Sequence, residues 1–260
     1  MSTVSLRSRV APIAVMRQAA EAPSAATLKT LCSTCHLREL CLPCGMPDPE
    51  VGRLDSLMFA RRRVLAGQTL YREGDRFQFI YAVRAGTLKS SLMLADGREQ
   101  VSGFHIAGEL VGLDGVAQGR HASATTALED TDICAIPYAH LAEIASGATG
   151  MHHLISRMMS REILREGSLM MLLGSMSAEE RLAAFLLNLS QRFGARGYSE
   201  REFHLRMSRA EIGSYLGLTL ETVSRTFTVL QQDRLLDVDK RHIRITDLDG
   251  LKRRFDLRVH

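Results

Sequence analysis

The sequence predicts an α+β fold in which an all-β roll, a long helix and a C-terminal winged helix-turn-helix follow one another along the chain. Glycine turns recur about every ten residues between residues 63 and 137, which is typical of an all-β unit. Residues 151–176 lack proline and carry apolar side chains at helical spacing. Two Ser-x2-Glu capping boxes, beginning at Ser177 and Ser208, then open further helices.

The chain has 260 residues, enough for two modest cores, and a formal net charge of +4 that favours anionic partners. We predict a poorly ordered tail, a cysteine-rich segment, a β-roll, a connecting helix and a C-terminal domain, covering residues 1–30, 31–50, 51–147, 148–176 and 177–260. No apolar run resembles a secretory signal or approaches the roughly 18 residues of a membrane span. The sequence therefore predicts a cytoplasmic protein without a membrane anchor.

Four of the five cysteines lie close together, in the pattern Cys32-x2-Cys35-x5-Cys41-x2-Cys44. In a reducing cytoplasm such a cluster is more often a set of metal or redox ligands than a pair of disulfides. Paired Cys-x2-Cys motifs hold zinc, and thiolates at such spacings also hold iron–sulfur clusters. Spacing alone leaves both metals open.

The fifth cysteine, Cys134, lies in the last predicted strand of the roll, TDICAIP. A lone cysteine on a strand is usually a small buried hydrophobic residue. If it joined three of the N-terminal thiolates at one metal site, it would tether the N-terminal segment to the roll.

A short helix from about Glu50 to Ala60 is predicted to lead into the roll. The Gly74-Asp75 turn, the Tyr81-x4-Gly86 hairpin and Gly108-Glu109-Leu110 resemble the cyclic-nucleotide-binding-type β-roll of the CRP/FNR regulators. Members that bind cyclic AMP carry an Arg-Ser-Ala triplet whose arginine pairs with the phosphate. Here the matching run is Ala122-Ser123-Ala124, so we predict no cyclic nucleotide ligand and interpret Glu109 as the cap of a turn.

The helix predicted for residues 151–176 would be roughly 39 Å long, too long to bury on one small domain. Its apolar stripe, which includes Met159, Ile163 and Met170, therefore predicts a homodimer seam. Glu166 interrupts the stripe, and in a two-fold dimer it would meet its own copy and weaken the seam. A core helix within one chain, or a Glu166 side chain turned into solvent, is the alternative.

The second capping box opens a helix to Leu216, a turn at Gly217 and a second helix from Leu220 to about Gln231. The positions predicted to face inwards are Ala210, Ile212, Leu216, Leu218, Val223, Phe227 and Leu230. The second helix presents Glu221, Thr222, Ser224 and Arg225 near its N-terminus, where a recognition helix meets DNA bases. A β-hairpin, LLDVDKRHIRIT, follows as the wing.

Roughly residues 30–247 resemble the oxygen-sensing fumarate–nitrate reduction (FNR) branch of the CRP/FNR superfamily. The resemblance rests on Cys-x2-Cys-x5-Cys, the strand cysteine, the acidic residue on the dimer helix and Glu221-Thr222-x-Ser224-Arg225. It implies a 4Fe-4S cluster on Cys32, Cys35, Cys41 and Cys134. Cys44 departs from the family pattern and leaves open an alternative fourth cluster ligand, or a zinc site on the four N-terminal cysteines.

The resemblance further implies a dimeric transcription regulator, mainly an activator, that binds pseudo-palindromic double-stranded DNA and contacts RNA polymerase while its cluster is intact. Oxygen would be the signal, acting on the seam at Glu166. No catalytic residues are predicted, so the chain is not expected to be an enzyme. The alternatives are a zinc-stabilised regulator of the same fold that responds to another ligand, and an iron–sulfur redox protein.

Overall fold

The computed structural model describes residues 29–56, 59–147 and 149–254, so the predicted tail lies almost wholly outside the described residues. The strands are β1 (Lys29–Thr30), β2 (Phe59–Val64), β3 (Thr69–Tyr71), β4 (Phe79–Ala85), β5 (Thr87–Met93), β6 (Glu99–Ile106), β7 (Leu110–Val111), β8 (Ala124–Ala127), β9 (Thr131–Pro137), β10 (Glu202–His204), β11 (Leu236–Asp239) and β12 (His242–Ile245). The helices are α1 (Asp48–Ser56), α2 (Tyr138–Gly147), α3 (Thr149–Ser175), α4 (Ala178–Gly194), α5 (Arg209–Leu216), α6 (Leu220–Gln232) and α7 (Leu248–Arg254).

The N-terminal half forms the predicted roll of two antiparallel sheets. One sheet has the strand order β1-β2-β9-β4-β7 and the other β3-β8-β5-β6. Apolar side chains of both sheets, among them Val83, Leu88 and Ile133, are completely buried together. In the first sheet, Arg61 of β2 and Ala82 of β4 lie on either side of Cys134 in β9. Cys134 thus lies on a strand that is paired with a neighbouring strand on each side.

The helix predicted from Glu50 to Ala60 is wrong at its C-terminal end. Helix α1 ends at Ser56, and Phe59 already begins strand β2. Both ends of β2 are buried and its middle residues are more exposed, and it pairs with β9 from Ala60 onwards. This long-range pairing outweighs the local preference for helix.

The long helix is present as predicted, as α3 with 27 residues, about 40 Å in length. It follows α2, which the sequence pattern did not predict as a separate helix. In the described part of the chain, none of the helices combines the length and apolarity needed to cross a bilayer.

The C-terminal domain packs α4, α5, α6 and α7 with a sheet of order β10-β12-β11. Its core includes the completely buried Leu186, Ile212 and Val223. Strand β10 and helix α7 were not predicted. Two residues of the roll, Val101 and Phe104 in β6, belong to the same apolar cluster. The two domains therefore share a packed interface.

Candidate metal centre and nucleic-acid interface

Four of the five cysteines border one cavity. Cys32, Cys35 and Cys41 reach it from the cysteine segment, defined here as residues 31–46, and Cys134 reaches it from β9. Short turns fold the segment around the cavity: the Cys35 amide donates to the Cys32 carbonyl (3.2 Å), and the Cys41 amide donates to the Leu37 carbonyl (2.9 Å). Residues far apart in sequence are thereby brought to one place.

The cysteine segment is anchored to the rest of the chain by apolar and polar contacts. Leu37, Leu42 and Met46 are buried, and the last two share a core cluster with Cys134. Asp55 of α1 accepts a hydrogen bond from the Cys32 amide (2.5 Å), and Arg38 pairs with Asp48 at the start of α1 (2.6 Å). These contacts fix the segment against the roll.

The thiols of the cavity are held in a low-dielectric environment. Burial, together with the neighbouring thiols and Asp55, raises the pKa of Cys32 well above its usual range. Burial also raises the pKa of Cys41 to about 12, although the Leu42 amide and Arg84 act in the opposite direction. Metal binding would therefore have to displace protons from these thiols.

The donor set of this cavity suits a soft metal. Among the described residues, its polar side chains are the four thiols and the guanidinium groups of Arg38 and Arg84, without a carboxylate. Four thiolates are the ligand set of a 4Fe-4S cluster, and cationic groups nearby offset their negative charge. Within the described ranges, no group of three or more His, Cys, Asp or Glu side chains is placed to hold a metal ion. The fit therefore rests on the chemistry of the four thiols and their shared cavity.

Cys44 lies elsewhere. Its sulfur accepts a hydrogen bond from Nη2 of Arg161 in α3 (3.3 Å). It borders a larger cavity, of ≈ 570 Å³, between the cysteine segment, α3 and α4. Cys44 is thus not among the residues that line the cavity which Cys134 borders, although Cys41 lines both cavities.

Ala122 and Ser123, which stand where cyclic AMP-binding members carry the Arg-Ser-Ala triplet, bind the side-chain carboxylate of Asp114. Oδ2 of Asp114 accepts hydrogen bonds from the Ala122 amide (2.9 Å), the Ser123 amide (2.9 Å) and the Ser123 hydroxyl (2.8 Å). Oδ1 lies 3.2 Å from Nδ1 of His121, whose ring stacks on Tyr71 at 3.7 Å. Burial acts to raise the pKa of Asp114, but the hydrogen bonds from His121 and Ser123 outweigh it and lower the pKa. The donors of this loop are therefore already used by an anionic side chain.

Helix α3 leaves its predicted seam uncovered. Ile163 and Met170 are each 70% exposed, Met159 is half-buried, and Glu166 is exposed between them. The cysteine segment contacts another face, through Arg161, which lies about 140° around the helix from Glu166 at 100° per residue. Helix α3 thus carries the contact to the cysteine segment on one face and, on another, an apolar stripe that is exposed among the described residues.

The helix-turn-helix has both predicted capping features. Ser208 and Glu211 form a capping box at α5, and Gly217, with φ of 64°, ends that helix in the left-handed conformation that suits glycine. Of the positions predicted to face inwards, Ala210 in the first turn of α5 is exposed, whereas Leu218, in the turn after α5, is half-buried and packs against the core of the domain.

Two contacts of Arg209 join the helices to the wing. Its guanidinium carbon stacks 3.4 Å from the centre of the Phe227 ring in α6, and Nη2 donates to the Lys240 carbonyl in the β11–β12 turn (3.1 Å). Burial lowers the pKa of Arg209 to about 10. Arg209, which the sequence pattern did not single out, thus fixes the recognition helix relative to the wing.

The face of α6 that the sequence predicts to meet DNA is free. Glu221, Ser224 and Arg225 are exposed, and they lie on one side of the helix because they are three and four residues apart. Thr222 differs: its amide and hydroxyl lie 3.2 Å and 3.0 Å from the Thr219 hydroxyl, so Thr222 takes part in the N-cap.

Two family profiles cover most of the described chain. The cyclic nucleotide-binding domain matches residues 61–148, and the Crp-like helix-turn-helix domain matches residues 180–254. The two matches correspond to the roll and the C-terminal domain.

Full-length relatives are similar across both domains. The transcriptional regulatory protein btr of Bordetella pertussis is 48% identical over 221 residues, which cover 85% of this chain and 91% of that protein. The fumarate and nitrate reduction regulatory protein of Escherichia coli K12 is 41% identical over 220 residues, covering 85% and 88%. The solved structure of FixK2 from Bradyrhizobium japonicum is 30% identical, with a TM-score of 0.71 over 78% of this chain and 100% of that chain.

Proposed function

The chain belongs to the CRP/FNR family of DNA-binding transcription regulators, and we propose that it is an oxygen-responsive member that is active as a homodimer. The proposed sensor is a 4Fe-4S cluster on Cys32, Cys35, Cys41 and Cys134. The relatives of this chain are regulators rather than enzymes, and its DNA binding and dimerisation follow from family membership.

One observation carries the proposal: the same four cysteines border one cavity, and Cys134 comes to it from the roll. The zinc alternative built on the four N-terminal cysteines would need Cys44, which instead contacts Arg161. When bound, a 4Fe-4S cluster supplies an oxygen-labile link among four thiolates. That link would hold the cysteine segment to β9.

The segment's own contacts connect this site to α3. Leu42 and Met46 pack in one cluster with Cys134 and with Met158 of α3. A segment held in place would therefore support α3, whose seam residues Met159, Ile163 and Met170 would pack against the second copy. Glu166 would face its own copy, and this repulsion keeps the dimer weak enough to be controlled. Release of the segment in air would then favour monomers with low DNA affinity.

Cyclic nucleotides are not the proposed ligand. The Asp114 carboxylate already accepts hydrogen bonds from the amides of Ala122 and Ser123. A cyclic phosphate placed there would meet this negative charge and would lack the arginine with which other members pair the phosphate. The cyclic nucleotide-binding profile thus describes the fold of the roll.

The DNA partner is proposed to be a pseudo-palindromic site read by Glu221, Ser224 and Arg225 of each protomer, with Thr222 at the helix start. We propose a cytoplasmic regulator that mainly activates genes of low-oxygen metabolism through contact with RNA polymerase. The relatives named for fumarate and nitrate reduction support this assignment.

Metal analysis tests the proposal. Protein purified without oxygen should contain about four iron and four acid-labile sulfide per chain and little zinc. One tightly held zinc per chain without iron would instead favour the zinc-stabilised regulator.

A further inference from the structure

Glu109 makes a contact that a turn cap alone does not require. Its carboxylate accepts a hydrogen bond from the backbone amide of Ile106 (3.1 Å), as the side chain of a turn cap does. It also binds two arginines at the C-terminal end of α4: Arg192 in the last turn, through Nη2 (2.6 Å) and Nε (2.9 Å), and Arg196 just after the helix, through Nη2 (2.8 Å). The side chain of Glu109 is 25% exposed and that of Arg196 only 6% exposed, so these charge-assisted bonds are largely shielded from solvent.

The same arginines also bind the roll's backbone. Arg192 Nη2 donates to the Phe104 carbonyl (2.7 Å), and Arg196 Nε donates to the Ala107 carbonyl. Two guanidinium groups of the DNA-binding domain are therefore fixed to the end of β6 and the turn that follows it, with the carboxylate of Glu109 between them.

This turn is in contact with the sensor site. Gly108 has φ of 87°, and a methyl group there would lie 2.9 Å from Cβ of Leu40, the neighbour of Cys41. The Gly108 amide donates to the Val83 carbonyl (2.8 Å), and the Val83 amide donates to the Glu109 carbonyl (2.9 Å). Val83 borders the thiol cavity, so the turn touches the proposed sensor from two directions.

The docked arrangement leaves the DNA-reading face open. On the domain interface, the Val101 amide donates to the Ser214 hydroxyl (2.8 Å), and Lys89 pairs with Glu211 (3.2 Å), so α5 lies against the roll. Glu221 and Arg225 of α6 remain exposed in this arrangement. The interface thus fixes the orientation of the DNA-binding domain without covering the surface that reads bases.

We propose that Glu109 is a positioning residue for DNA binding: clamped by Arg192 and Arg196, it holds the winged helix-turn-helix at a fixed orientation on the turn that Leu40 and Val83 contact. The link from this turn to oxygen rests on the proposed function, whereas the effect on DNA binding does not. Without the clamp, the two recognition helices of a dimer are less well pre-oriented, and part of the binding free energy is spent on ordering them.

Two variants of Glu109 separate charge from packing. Glu109→Gln keeps the shape and an acceptor for the Ile106 amide but removes the charge, whereas Glu109→Asp keeps the charge and shortens the side chain. With iron content and dimer content matched, Glu109→Gln should bind a duplex selected from a random library about tenfold more weakly than the parent, within the usual range of coupling between sites. Glu109→Asp should retain more affinity than Glu109→Gln.

A double-variant cycle identifies the partner. Arg192→Gln should also weaken binding, and the double variant Glu109→Gln/Arg192→Gln should be no weaker than Arg192→Gln alone, because residues of one network are not additive. The control is Asp130→Asn, which breaks an ion pair within the roll (Arg63 to Asp130, 2.8 Å) and should leave DNA affinity unchanged.

The possible failures are distinguishable. Unchanged affinity in Glu109→Gln, additive losses in the cycle, or a larger loss in Glu109→Asp than in Glu109→Gln would overturn the positioning role. A parent protein without iron, or one indifferent to air, would overturn the proposed function, while the affinities of the matched dimers would still decide the role of Glu109.

Discussion

The thiol of Cys44 lies 3.3 Å from Nη2 of Arg161 in α3, whereas Cys134 shares a cavity with Cys32, Cys35 and Cys41. The anaerobically reconstituted parent should hold iron and sulfide, and Cys134→Ala should lose both, because it removes one of the four proposed ligands. Cys44→Ala is the matched control and should retain both. Iron retained by the Cys134 variant, or lost by the Cys44 variant, would contradict the ligand assignment.

Glu166 lies between the exposed Ile163 and Met170 on the seam of α3. Partial burial and the nearby Glu162 raise its pKa despite the opposing charge of Arg165. Glu166→Ala should shift air-exposed protein from monomer towards dimer, since it would remove the proposed like-charge pair from the apolar stripe. Sedimentation velocity measures the shift, with Glu73→Ala, an exposed glutamate of the roll, as the control. A Glu166 variant as monomeric as the parent would mean that the two copies do not meet.

Arg225 is expected to read a base rather than only a phosphate. Arg225→Ala should cost about 1–3 kcal/mol on the selected site and relax the preference at one base pair in each half-site. Lys240→Ala removes a cation from the wing and should weaken all duplexes alike. Titrations at fixed salt against the site, its single-base substitutions and a scrambled duplex separate the two patterns, and equal losses of the Arg225 variant on every duplex would limit this residue to backbone contact.

For Glu221 we expect an opposite effect on the affinity for non-specific DNA, because a carboxylate repels phosphates wherever the helix enters the groove. Glu221→Ala should change which base is preferred at its position and leave, or raise, the affinity for the scrambled duplex. The same titrations measure both effects. Loss of affinity on every duplex without a change in preference would show that Glu221 supports the helix instead of reading DNA.

The buried position of His105 predicts that the stability of the folded chain depends on pH. His105 is buried, within 2.9 Å of the Ser90 hydroxyl and 3.3 Å of Arg165 Nη1, and burial, then Arg165 and Arg192, lower its pKa well below 6.5. The unfolded chain therefore binds a proton below about pH 6.5 that the folded chain does not. Its contribution to stability is present above that pH and is lost as the pH falls, by up to about 1.4 kcal/mol per pH unit.

Urea unfolding at several pH values between about 5 and 7 measures this dependence. His105→Gln keeps a side chain that can hydrogen-bond Ser90 but cannot titrate, so its free energy of unfolding should fall less steeply with decreasing pH. Identical slopes in the parent and the variant would show that His105 does not contribute.

The sequence predicted the fold where local signals are strong. Ser177 and Ser208 begin helices because each caps the backbone three residues later, and Gly217 ends α5 because it takes a positive φ. The helix predicted to run to about Ala60 was wrong at its end, because Phe59 begins β2, whose pairing with β9 joins residues remote in sequence. Local pattern does not determine such pairings.

The candidate site was also predicted in part from local sequence, whereas the rest depends on contacts between residues remote in sequence. The spacing of Cys32, Cys35 and Cys41 indicated a metal site, but only the ladder that places Cys134 beside Ala82 brings the fourth thiol to the cavity. The clamp of Glu109 by Arg192 depends on how two domains dock, which no periodicity encodes. Glu109 was accordingly predicted only as a turn cap, a role that it also fulfils.

The most direct test of oxygen-controlled DNA binding follows one cluster-loaded sample before and after exposure to air, with iron, sedimentation and affinity for the selected duplex measured on the same aliquots. We expect the DNA affinity to fall at least about tenfold, in step with iron loss and with conversion of dimer to monomer. Cys134→Ala should show the low affinity from the start. Equal DNA affinity of the iron-loaded and iron-free parent, at equal dimer content throughout, would contradict control of DNA binding by the cluster.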